Sequence, residues 1–156
     1  MSYAAPAPEY WTDDLADDDD SGLSPDQCVI KGEWFFALGL IEIPVIETGG
    51  SFSWGVWVSL SKENYERMAQ LWDRPGREGE SPYFGWLSTH LPVYSPTTIN
   101  LKTRVHTRPI GERPLIELEP TGHPLAVEQR TGITLARVRE FADILLHGEP
   151  VEPAAG

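Results

Sequence analysis

The chain is poor in the residues that would fasten or activate a small protein. It has one cysteine, Cys28, in 156 residues. An internal disulfide is therefore excluded, and so is a zinc site built from cysteines of this chain alone. A reducing, cytoplasmic setting fits best. Basic residues are scarce as well: 12 Lys and Arg stand against 24 Asp and Glu, a formal net charge of -12. The deficit is concentrated at the start, where residues 1–27 hold eight acids and no Lys or Arg, leaving 16 acids and 12 bases in the remainder. Such a field repels phosphate backbones, so nucleic acid and anionic membrane surfaces are not expected as partners. No basic region followed by an apolar core marks a leader, and Glu42 and Pro44 interrupt the longest apolar run well short of the ~20 residues of a membrane span. No nucleophile elbow, zinc-protease helix, phosphate loop or dinucleotide-binding glycine pattern occurs, and the run at 17–20 lacks the glycine and closing glutamate of a calcium loop.

What is abundant is aromatic and apolar sequence between residues 28 and 60. Phe52, Trp54, Val56, Val58 and Leu60 recur at a period of two, with Ser53, Gly55 and Ser59 between them, which predicts a strand with one buried face. Trp57 alone breaks the alternation. The preceding run sets Trp34, Phe36, Leu38 and Leu40 on one face and Phe35, Ala37, Ile41, Ile43 and Val45 on the other, the pattern of a strand covered on both sides. Glycines 49 and 50 supply the turn of an antiparallel hairpin. A short strand at 28–30 turns through Lys31 and Gly32 into this pair.

Ser61 caps a helix predicted to run through Trp72, which Pro75 and Gly76 stop; residues 77–80 read as a solvent loop. Residues 99–108 alternate again, placing Lys102, Arg104, His106 and Arg108 on a wet face. Across a turn at 109–113 the run 115–119 carries Glu117 and Glu119, and one register sets Arg104 against Glu117 and Lys102 against Glu119. Pro124 and Gly132 bracket a short helix, and Thr134 caps a last one with the stripe Leu135, Val138, Phe141, Ala142 and Leu145, ended by Gly148 and Pro150. His147 reads as a partner of that helix's dipole. The expected organisation is a mobile acidic tail at 1–23, one α+β domain at 24–148 with a mainly antiparallel sheet and two principal helices packed on one face, and a disordered tail at 149–156.

The blocks at 54–61 (WGVWVSLS), 82–89 (PYFGWLST), 100–109 (NLKTRVHTRP) and 113–130 (RPLIELEPTGHPLAVEQR) resemble the bacterial domain of unknown function family 2199, over about residues 1–148. That resemblance implies no catalytic residue. Members similar to this chain commonly begin upstream with a Cys-x-x-Cys-Gly segment followed by a His. This chain starts just after that point, so neither a metal nor any other cofactor is expected here, and a metal protein with ligands upstream of Met1 stands as a weaker alternative.

Two sets of residues are candidates for function. Lys102, Arg104 and Arg108 could hold an anion while His106 or His123, with Glu117, acts as acid or base; the simpler reading is a solvated face whose charges neutralise one another. Trp57 and Trp86, from the set Trp54, Trp57, Tyr83, Phe84 and Trp86, could anchor a partner, though rings on strands more often belong to a core. Cys28 reads as a buried thiol. The sequence thus favours a cytoplasmic, non-enzymatic interaction or binding module, with a basic protein or a second copy as partner, over a small hydrolase acting on an anionic molecule at the 102–123 hairpin.

Overall fold

The structure, a computed structural model, describes residues 2–146. The expectations for His147, for the stop at Gly148 and Pro150 and for the tail at 149–156 lie outside the described residues. In chain order the elements are β1 (Ser2–Ala4), β2 (Gly22–Leu23), β3 (Gln27–Ile30), β4 (Trp34–Pro44), β5 (Ser51–Leu60), α1 (Lys62–Gln70), β6 (Tyr83–Leu87), β7 (Lys102–His106), β8 (Leu115–Leu118), α2 (Pro124–Thr131) and α3 (Leu135–Leu146).

The sequence's two apolar runs form the centre. β4 and β5 pair antiparallel from Phe35↔Leu60 to Pro44↔Ser51. This pairing puts Ala37, Ile41 and Ile43 on one face with Phe52, Trp54, Val56 and Val58, all of them buried. β5, β6, β7 and β8 follow as antiparallel neighbours, and β8 returns to β4 in parallel at Leu40↔Leu115. Leu40 N–H donates to the Pro114 carbonyl at 2.9 Å across that seam. The result is a closed five-stranded barrel with β1, β2 and β3 as additional strands. A sheet with two helices on one face was expected. It closes instead because every barrel strand carries an apolar inner face, including Leu87, Val105, Ile116 and Leu118, and rolling a twisted sheet buries all of them together.

The helices sit toward opposite ends of the β4–β5 pair rather than side by side. Ser61 caps α1 by accepting from Asn64 N–H at 3.0 Å, and the Tyr65 ring of α1 lies 5.1 Å from Phe35. Near the other end, Phe141 of α3 lies 5.2 Å from Phe52 and 5.0 Å from Trp54. A hydrogen-bond chain ties that end together: Trp54 Nε1 donates to the Tyr94 hydroxyl at 3.2 Å, Tyr94 donates to Glu128 Oε1 at 2.7 Å, and Arg137 Nε donates to Glu128 Oε2 at 2.8 Å. Burial and the bond to Glu128 push the Tyr94 phenol up, so it remains the donor in that chain. The Arg137 guanidinium lies 4.7 Å from the centre of the Phe141 ring.

The first 23 residues correct a second expectation. They do not form a free acidic tail. β1 pairs in parallel with Ser53, Trp54 and Gly55, and Ala5 N–H donates to the Gly55 carbonyl at 3.0 Å. Trp57, on the outer face of β5, is fully buried beneath this strap and donates from Nε1 to the Ala5 carbonyl at 3.0 Å. Ala5, Leu15, Cys28, Phe36, Leu38 and Trp57 form a second apolar cluster outside the barrel. Charge made the segment look like solvent-seeking chain, but the outer face of β4 and β5 is apolar and needs cover, and Leu15 and Trp11 supply it.

A third correction concerns residues 77–80. Arg77 begins a 3-10 turn and is buried, its guanidinium donating to the carbonyls of Trp72, Arg108, Pro109 and Glu112 at 2.7–3.1 Å. It clamps the end of the α1 segment to the β7–β8 turn and, among the described residues, has no carboxylate partner.

The barrel's seam rests on Gly39. A methyl group there would meet Ile116 Cδ1 at 2.5 Å and the Pro114 carbonyl oxygen at 2.9 Å. Gly39→Ala is expected to destabilise the protein by about 1–3 kcal/mol in urea unfolding, the usual cost of overpacking. An unchanged midpoint would contradict the closure of β8 on β4.

Candidate functional site

The charged hairpin has the register that its sequence suggested, with Arg104 opposite Glu117. Its side chains do not pair as expected. His106 Nε2 donates to Glu117 Oε1 at 2.8 Å, and these side chains are 39% and 57% exposed, which makes them a solvated pair on an open face. Arg108 Nε donates to the Arg113 carbonyl at 2.7 Å, with Glu112 3.7 Å from its Nη1. Among the described residues, the side chains of Lys102 and Arg104 have no ion-pair or hydrogen-bond partner, and Glu119 meets Lys102 only through a backbone bond.

His123 is not brought into that group. It occupies the N-cap of α2, where Nδ1 accepts from Leu125 N–H at 3.1 Å and Nε2–H donates to the Pro96 carbonyl at 2.8 Å. Both ring nitrogens are engaged, so its evident work is to start the helix. His106, Glu117 and His123 therefore do not converge on a substrate, and Lys102 and Arg104 face solvent beside them.

A concave site exists elsewhere, across the outside of the barrel. The registers Cys28↔Phe36, Phe36↔Ser59, Ser59↔Trp86 and Trp86↔Lys102 run in one row over β3, β4, β5, β6 and β7. Above this row lies a groove of about 570 Å³. Its walls are the rings of Tyr10, Trp34, Phe36 and Trp86, and its polar groups come from Ser59, Ser88 and Asn100. Trp34 is 60% exposed and Tyr10 49% exposed, while Trp86 and Phe84 are each 41% exposed. Tyr10 stacks on Phe36 with ring centres 6.1 Å apart, so the N-terminal strap builds one wall. Phe84 meets Trp86 edge-on at 5.0 Å, and Lys102 Nζ stands 5.9 Å above the Trp86 ring.

Of the two tryptophans put forward as binding residues, Trp86 lines this groove and Trp57 does not, because the strap covers it. Trp34 and Tyr10 were missed. The alternation of β4 puts Trp34 on the face of Phe36, but only the inter-strand register places that face beside Trp86.

A second hollow of about 590 Å³ lies over Trp72, Asp73 and the Arg77 clamp. Its Asp26 and Arg113 hold each other at 3.0 Å. Cys28 is buried, and desolvation pushes its thiol up to about 11. Among the described residues, no three His, Cys, Asp or Glu side chains are grouped as a metal site, and no helix is long and apolar enough to cross a membrane.

A family model described as "Uncharacterized protein conserved in bacteria (DUF2199)" matches residues 1–133. No curated protein and no solved structure matches the chain.

Replacing His123 with Ala should remove the cap of α2 and lower stability by about 1 kcal/mol, with Asn restoring most of it, as read by thermal unfolding. Equal loss in both variants would contradict the capping role. The thiol gives a pH test. Folding raises its pKa from 9.0 to about 11, so the stability tied to the protonated thiol is full below about pH 9 and is lost as pH rises toward 11. At pH 8 a thiol reagent should therefore modify the urea-unfolded chain rapidly and the native protein slowly. Equal rates would show that Cys28 is not shielded.

Proposed function

The chain belongs to this family of uncharacterised bacterial proteins, and from its own geometry we propose that it is a cytoplasmic, non-enzymatic binding module whose site is the aromatic groove outside the barrel. The observation that carries this reading is the pair Trp34 and Trp86, two large rings left in water on the walls of one mainly apolar groove that Ser59, Ser88 and Asn100 interrupt with polar groups. Exposed single rings are ordinary, but several converging on one concavity with hydroxyl and amide groups match the composition of ligand sites. The side chains of Ser59 and Asn100 have no hydrogen-bond partner among the described residues, so they are available to a ligand.

The acidic balance of the chain favours a partner carrying basic groups. Hydrolysis at the 102–123 hairpin is the weaker reading, since His106 and Glu117 lie on an open face and His123 caps a helix.

The test is fluorine NMR of protein labelled with 5-fluorotryptophan, screened against short peptides, oligosaccharides and nucleotides. A binding compound should move the Trp34 and Trp86 resonances while leaving buried Trp54 unchanged, and Trp86→Ala should weaken its binding about tenfold or more. A compound that binds but moves only Trp72, or one that is chemically converted, would contradict the proposal.

A further inference from the structure

The surfaces just beyond the two ends of the groove carry opposite charge. At the β3 end, Ile30 and Trp34 line the groove and bracket the turn at 31–33. The acidic run is fastened to that turn: Gly32 N–H donates to the Asp20 carbonyl at 2.7 Å, and Lys31 N–H donates to Ser21 Oγ at 2.8 Å. Asp19, Asp20 and Glu33 are exposed there, with Lys31 as the one base among them. At the β7 end the balance reverses. Lys102 and Arg104 stand directly across from Trp86 and Phe84, and Glu119, opposite Lys102, makes no ion pair with it. Glu117 is already taken by His106.

The row from β3 to β7 crosses four inter-strand gaps. At about 4.8 Å each this is a path of roughly 19 Å measured along the curved outer surface, which about six extended residues cover. A polyanion lying along the row would meet Asp19, Asp20 and Glu33, which argues against a nucleic-acid strand. A chain with opposite charges at its two ends meets favourable charge at both.

Building on the reading of the groove as the binding site, we infer that its ligand is an extended peptide segment of about six residues with an apolar, proline- or ring-bearing centre. Its basic end lies over Asp19, Asp20 and Glu33, and its acidic end lies over Lys102 and Arg104. The centre packs between Trp34 and Trp86, and its backbone amides bond to Ser59 and Asn100. Proline suits such a wall of rings because it holds the chain extended before binding.

The experiment uses fluorescein-labelled octapeptides in both chain directions: lysines at one end, Pro-Phe-Pro in the middle and glutamates at the other. Controls are the same peptides with Gln in place of every charge, and oligo-dT. Fluorescence anisotropy with the full chain should show one direction of the bipolar peptide binding about five- to tenfold tighter than the neutral peptide, a difference that shrinks with salt. The double variant K102E/R104E, whose surface positions leave the fold intact by circular dichroism, should lose that advantage and prefer a peptide with lysines at both ends. Equal binding of bipolar and neutral peptides, still weakened by Trp86→Ala, would overturn the charge pattern while leaving the groove as the site. Tighter binding of oligo-dT through Trp34 and Trp86 would overturn the peptide assignment. If no probe moves the fluorine signals of Trp34 and Trp86, the groove reading falls, and this inference with it.

Discussion

The pairing of β4 with β5 extends over all ten residues of β5, and that length determines what the rest of the chain can do. Each strand has one further edge, too long for a single neighbour to fill. β4 gives residues 34–37 to β3 and Leu40 to β8, while β5 gives residues 53–55 to β1 and residues 58–59 to β6. The β6 and β8 contacts close the barrel. The β1 and β3 contacts extend the same hairpin outward, so unpaired edge that would invite association is covered from within the chain. Gly39 and Gly55 mark the two close approaches: a side chain at Gly55 would meet Ala4 Cβ at 2.7 Å, as one at Gly39 would meet Ile116.

Because the hairpin is apolar on both faces, it generates two cores. The inner one fills the barrel and is finished by Phe141 at one end and Met68 of α1. The outer one exists only because residues 2–23 fold back over Phe36, Leu38 and Trp57. Trp57 and Trp86 show what decides between burial and exposure on the outer face. Both project from the outside of neighbouring strands, yet the first is sealed by Ala5 and the second is left beside open space. The groove is the part of the outer face that the strap does not reach, and Tyr10 stands at the boundary between covered and uncovered surface.

Much of this was legible in the residues. Alternation gave the faces of β4 and β5, Ser61 and Pro124 gave helix starts, and the opposed charges gave the Arg104↔Glu117 register. These features are local, or set by one turn. The barrel was not legible, because its closure depends on a single parallel contact between Leu40 and Leu115, which no periodicity encodes. The strap was obscured by its own charge: seven of the acids lie at residues 9–20, and they masked the few apolar residues that dock it. Arg77 looked like loop because its partners are backbone carbonyls distant in sequence. The groove gathers Tyr10, Trp34 and Trp86 from three separated segments, so its members were visible singly and its shape was not.

If the groove is the binding site, it is occupied where the protein works. Radical oxidation footprinting read by mass spectrometry can compare the chain inside living bacterial cells with the purified protein, using Trp72, which lies outside the groove, as internal reference. Trp34 and Trp86 should be oxidised in the purified protein and protected in cells, with Trp72 unchanged and Trp57 shielded in both. Oxidation of Trp34 and Trp86 relative to Trp72 that is the same in cells as in the purified protein would contradict the groove as the binding site.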